Sequence, residues 1–319
     1  MGDVEHALAE LTKIFRSAPD KRTAHERSRS VLEALSADPA FLRETLARHL
    51  AKPGALDSRN YPVVSIEIDT NPYFVLIANA WIPLPDQRTD LSTKAIHHHG
   101  SMLLSTANIF GPGYEHWLFT RPEKLDDALY RMKVISAKPH ALHTVAFVDA
   151  WVPHLPVYPS ELTVTLALWS SDRQMSWKDR VKRLPLMRGN EKRLRHVASK
   201  LGLTRALDLK VVENFDYYPT EGGFRNIEDR LEFALGPNED HLHSLFHLIQ
   251  KTGNDSLAPL LEQRLAAGLA SAETVRSLLA DLKSGRSIAG RLSDGHYTVP
   301  YANFSTRDIE QSVALAATE

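Results

Sequence analysis

The chain of 319 residues is 43% hydrophobic, and its 38 Lys and Arg nearly cancel its 39 Asp and Glu. That length can bury a sizeable core, as one large domain or two modest ones, while the charge balance excludes the basic field that recruits nucleic acid. Cysteine is absent, which excludes disulfides, thiolate metal sites and cysteine nucleophiles, so any transition metal must be held by imidazole and carboxylate.

The first fifty residues read as helical. Val4, Leu8, Leu11 and Phe15 fall on one face of a first helix, Val31, Leu32 and Leu35 on a second, and Phe41, Leu46 and Leu50 on a third ending near Pro53-Gly54. The opening segment carries acids and no apolar run, so no secretory signal is expected. No stretch of about 18 apolar residues predicts a membrane span. A cytoplasmic location is the default expectation.

The character then changes to short β-branched and aromatic segments. Strands are predicted over 62–68, 73–82, 95–110, 132–137, 142–152 and 161–169, with Pro and Gly in the gaps, a pattern that favours a sandwich or closed barrel over a βαβ sheet. Residues 173–204 turn basic and polar, with a helix expected near 190–201 and a solvated charge run at 178–183. A strand is expected within 208–218. Helices follow at 239–251, 256–268 and 271–284, the last with Ser271 as N-cap and Gly285 as stop. The divisions expected are a helical region over 1–54, a β-barrel with the candidate site over 55–218, and a helical region over 219–319.

Seven of the fifteen histidines lie between 97 and 154. Side chains alternate along a strand, so His97 and His99 point to one face and His98 to the other. Two imidazoles on one face can chelate an ion, and a third ligand must come from elsewhere. His143 is the leading candidate, with His154 and His140 as competitors. His154 sits between two prolines in an expected loop at the pocket mouth, where it would also suit a proton shuttle. Glu115 and His116 read as a turn. His241, His243 and His247 form a second cluster, but the stripe Leu242, Leu245, Phe246 and Ile249 and the lack of a companion Glu make it a solvated or interface face.

Several segments over roughly residues 62–172 carry a resemblance. Trp81-Ile82-Pro83 leads into Ile96-His97-His98-His99-Gly100, Gly111 follows His99 by twelve residues, and Ala141-Leu142-His143-Thr144-Val145 and the segment from Thr163 to Ser170 come after. In order and spacing these resemble the cupins, and among them the cysteine-dioxygenase-like group. The resemblance implies a mainly β, jelly-roll-like cupin barrel flanked by helices. It implies Fe(II) held by three histidines, here His97, His99 and His143, with Zn, Mn or Ni as other occupants. Leu103 and Leu104 stand where other cupins add a Glu ligand, in keeping with a three-histidine set.

The implied activity is a dioxygenase acting on O₂ and a small-molecule substrate that chelates the metal. A lyase, isomerase or hydrolase and a non-catalytic binding module are the alternatives. Ala167 and Trp169 replace the His and Tyr that serve substrate in thiol dioxygenases, so cysteine is not the expected substrate. Trp151 and Trp169, with Phe110, suggest a larger apolar or aromatic pocket. The partners expected are substrate and O₂, with no nucleic acid and no membrane, and the helical regions offer a homo-oligomer contact.

Overall fold

The computed structural model describes residues 3–59, 63–171, 215–226, 237–266, 268, 271–292 and 304–315. The helix expected at 190–201, the charge run at 178–183 and most of the 208–218 segment lie outside these residues.

Three N-terminal helices form as their apolar spacing dictates: α1 (Asp3–Ser17), α2 (Lys21–Ala37) and α3 (Pro39–Ala51). Asp20 caps α2 by accepting from the Thr23 N–H at 2.7 Å. Asp38 caps α3 through the Ala40 N–H, with Pro39 in the first turn, where its missing N–H costs nothing. Val4, Leu11 and Phe15 of α1 are buried, as their spacing predicts.

Two antiparallel sheets follow. The first has the order β1-β2-β11-β4-β9, from β1 (Val63–Thr70), β2 (Val75–Trp81), β4 (Met102–Phe110), β9 (Val145–Val148) and β11 (Thr163–Ser171). The second has the order β6-β7-β13-β12-β3-β10-β5-β8. Its strands are β3 (Ile96–His98), β5 (Glu115–Phe119), β6 (Glu123–Lys124), β7 (Leu129–Arg131), β8 (Val134–Pro139), β10 (His154–Pro156), β12 (Phe215–Thr220) and β13 (Gly223–Asn226). The architecture is the mainly β one expected, with helices before and after the sheets.

Alternation assigns each face. In β2, Leu76, Ala78 and Ala80 join a large core with Val164, Leu166 and Leu168 of β11 and with the helices α1–α3. The same core takes in the C-terminal helices α4 (Asn238–Lys251), α5 (Ala258–Ala266) and α6 (Ala272–Ser284). Each fully buried Leu there contributes roughly 1.5–3 kcal/mol. Between the sheets, Leu104, Val148 and Ala167 meet Leu118, Val152 and Trp169. On the far face of the second sheet, Ile96, Leu155, Tyr217 and Phe224 form a third cluster with Phe304 and Ile309, the latter from α7 (Thr306–Leu315).

Three expectations change. The 95–110 strand is two strands, broken at His99–Ser101. Glu115 and His116 are not a turn: they open β5, and His116 is buried. The histidines of α4 are not a solvated face either. His241 and His247 are buried, with ring nitrogens on the carbonyls of Ala55 and Ile288, while His243 is half-buried. Gly111 marks where the ends of β4 and β11 meet. Its φ is +84°, and a Cβ there would lie 2.1 Å from the Leu162 carbonyl oxygen, so the position admits only glycine. Among the described residues no helix is long and apolar enough to cross a membrane.

Candidate metal centre

Register builds the centre. Within β3, Ile96 and His98 face outward and His97 faces inward, while His99 follows the strand's end on the inner side. The strand β10 lies beside β3 through one residue pair, His154 opposite His97. One nitrogen from each of His97, His99 and His154 lies within 4.8 Å of the others. The ring centroids of His97 and His154 are 4.2 Å apart, and those of His97 and His99 5.0 Å.

The third imidazole is therefore that of His154, not His143. Residues 141–144 turn, with the Thr144 N–H and Oγ1 both on the Ala141 carbonyl. His143 sits at the corner with φ of 59°, exposed, beside Phe110 and Gly111 on the outer rim of the first sheet. His140 is buried elsewhere, stacked on Tyr114 with Nε2 against the Thr106 carbonyl. Trp169 of β11 presents its edge to His99 at 4.6 Å between ring centroids, inside the sandwich. Trp151 lies on the other side of β3, against His98 at 5.6 Å, and takes no part in the cluster.

The donors suit a divalent ion. His97 Nδ1 donates to the Ala95 carbonyl at 3.0 Å, which fixes the tautomer and leaves the lone pair on Nε2. That Nε2 is buried with no hydrogen-bond partner among the described residues, and so is His154 Nδ1. Orphaned buried nitrogens are costly and rare, and a metal ion would satisfy His97 Nε2. Metal–imidazole bonds of about 2.0–2.1 Å put two ligand nitrogens no more than about 4.2 Å apart, so small ring rotations close the set.

Burial pushes His97 and His154 well below the ordinary histidine pKa. The positive charge of Lys94 and the neighbouring imidazoles push the same way. Both rings are thus neutral, the form that ligates.

Sequence reasoning did not single out Lys94 or Asp216, and it misplaced His116. Asp216 lies directly across from His97 in the β12–β3 register, so it shares the inner face. Burial raises its pKa, opposed by Lys94, while burial lowers the Lys94 amine to about 8, opposed by Asp216. His116 packs edge-on to His154 at 5.5 Å, and burial lowers it to about 3. Lys94 lies in a bend before β3, where strand alternation gives no signal, and only the fold brings Asp216 across from His97.

No family model and no curated protein matches the chain. Solved structures with similar parts include a protein from Thermus thermophilus, at 14% identity and a TM-score of 0.24, over 35% of this chain and 89% of that one. A sugar phosphate isomerase of the cupin superfamily from Silicibacter pomeroyi matches at 11% identity and 0.23, over 37% and 62%. A cupin domain from Bordetella pertussis matches at 10% identity and 0.22, over 35% and 95%. The chain spans 29% and 46% of the lengths of two further matched proteins. TM-scores this low identify no relative, and what the centre can do is read from its own residues: three converging neutral imidazoles, able to hold one metal ion.

Proposed function

We propose that the chain is a cupin-type metal-dependent enzyme, an Fe(II) oxygenase that uses O₂ on a small organic substrate chelating the ion, with His97, His99 and His154 as the ligands. The convergence of these three imidazoles, two with orphaned nitrogens, carries the reading. A divalent ion held there supplies Lewis acidity and redox chemistry toward O₂. The chain's own residues do the rest. Three neutral ligands leave the ion's charge uncompensated, so an anionic chelating substrate is favoured. Lys94 adds a cation beside the ligands and orients the substrate's negative group. Trp169 packs against His99 and joins an apolar cluster with Leu104, Leu118 and Val152 that limits water on that side.

A second reading is a lyase or isomerase that needs no O₂. The ammonium of Lys94 and the carboxyl of Asp216, both half-buried near the imidazoles, favour it by supplying an acid and a base beside the ion.

The test is elemental analysis of protein prepared aerobically and anaerobically, with oxygen uptake followed in the presence of small chelating acids. One equivalent of iron and substrate-dependent uptake are expected. Protein that binds no iron-group metal sinks both readings. Turnover that persists without O₂ selects the second.

A further inference from the structure

On the opposite face of β3 from the proposed metal ligands lies a cavity of about 430 Å³, lined by His98, Arg121, Tyr130, Trp151, Phe215 and Tyr217 among others. We infer that this outer cavity is a binding site for a planar aromatic carboxylate, separate from the metal centre.

Its walls are flat rings. The His98 imidazole stacks on Phe215, with centroids 4.6 Å apart and planes 15° apart, and lies 26° from the plane of Tyr217 at 5.9 Å. Trp151 closes a side at 5.8 Å from Phe215, and Tyr130 meets Tyr217 edge-on. Rings in offset or edge-on contact favour an aromatic guest over an aliphatic one of equal size. The tautomer of His98 is fixed. Its Nδ1 accepts the Gly100 N–H at 3.2 Å, so Nε2 carries the proton toward the Tyr217 hydroxyl at 3.4 Å.

Charge selects the guest's other end. Among the described residues, Arg121 is the one ionised group lining the cavity, and no acid lines it. Among the same residues its guanidinium makes one contact, from Nη2 to the Ala150 carbonyl at 3.4 Å. The other donors are left to grip a carboxylate bidentately. The volume is that of a small-molecule pocket.

The backbone bears strain at this spot. Trp151 has φ of 65°, a conformation that a bulky side chain adopts only at a cost. Its N–H is tied to the Gly100 carbonyl at 2.8 Å. That tie holds the indole against His98 rather than free in solvent. Such held strain marks sites where a side chain must stand in one place.

Isothermal calorimetry on the metal-stripped full chain tests the site, with 2-naphthoate and its saturated counterpart decahydro-2-naphthoate as probes. Saturable 1:1 binding of 2-naphthoate is expected, at least tenfold tighter than the saturated acid. Arg121→Gln should weaken it tenfold or more. Trp151→Gly, which removes the indole and relieves the backbone, should abolish it while circular dichroism stays unchanged. His97→Ala should leave it intact. No binding to folded protein, equal affinity for the two acids, or loss in His97→Ala with Arg121→Gln unaffected would overturn the assignment, the last by placing the guest among the metal ligands.

Discussion

Two sets of buried histidines in this molecule differ in what their nitrogens do. His25, on α2, is 2% exposed and wedged against the first sheet, with Nδ1 on Ser105 Oγ and Nε2 on Ser170 Oγ, each at 2.8 Å. Both ring nitrogens are spent on holding a helix to a sheet. His97 and His154 are as deeply buried, at 2% and 5% exposed, yet each keeps a nitrogen with no hydrogen-bond partner among the described residues. Burial alone therefore says nothing about function. An imidazole whose hydrogen bonds are complete is a structural pin, while unpartnered nitrogens on imidazoles that also converge can take a ligand from outside the chain.

The comparison breaks most sharply at the metal. His97→Ala or His154→Ala is expected to lower divalent-ion affinity by more than about 100-fold, read by competition with a chromophoric chelator, while His143→Ala and His25→Ala leave it unchanged. Equal loss in His143→Ala would restore that residue to the ligand set. Next in size is stability. His25→Ala should cost about 3 kcal/mol in urea unfolding, because it opens a cavity and leaves two buried hydroxyls without a partner.

Acid sharpens the same contrast. Burial first, and the charge of Lys21 second, lower His25 to about 3. Between that value and the unfolded value near 6.5, the unfolded chain binds the proton and the folded chain does not. Stability is thus complete above pH about 6.5 and declines as pH falls, by up to about 1.4 kcal/mol per pH unit for this group. A pH series of urea midpoints should show that decline, shallower by one proton in His25→Gln. The smallest effect is Asp38→Ala. Removing the cap of α3 should cost about 1 kcal/mol and leave metal affinity untouched, since α3 packs in the helical core and not between the sheets.

Local patterns carried much of this fold. The N-terminal helices announce themselves through apolar spacing, and the opposite facing of His98 from His97 and His99 follows from the two-residue repeat of a strand. Which histidine joins His97 and His99 was not legible. His154 stands in a three-residue strand between Pro153 and Pro156, so its punctuation reads as loop. Nothing in the sequence says that β10 lies beside β3. His143 has the more suggestive surroundings, but a turn at 141–144 carries it to the rim. On α4 the apolar stripe hid how widely the helix is covered. Chain from both sides of it in sequence, at Ala55 and Ile288, brings carbonyls to His241 and His247.

The pairing of β10 with β3 has a mechanical consequence. A single rung, His154 against His97, fastens these two short strands to one another. The same two residues are proposed ligands, so a captured cation would act as a rivet across that seam. Amide hydrogen exchange along Ile96–His98 and His154–Pro156 should then slow on loading with metal.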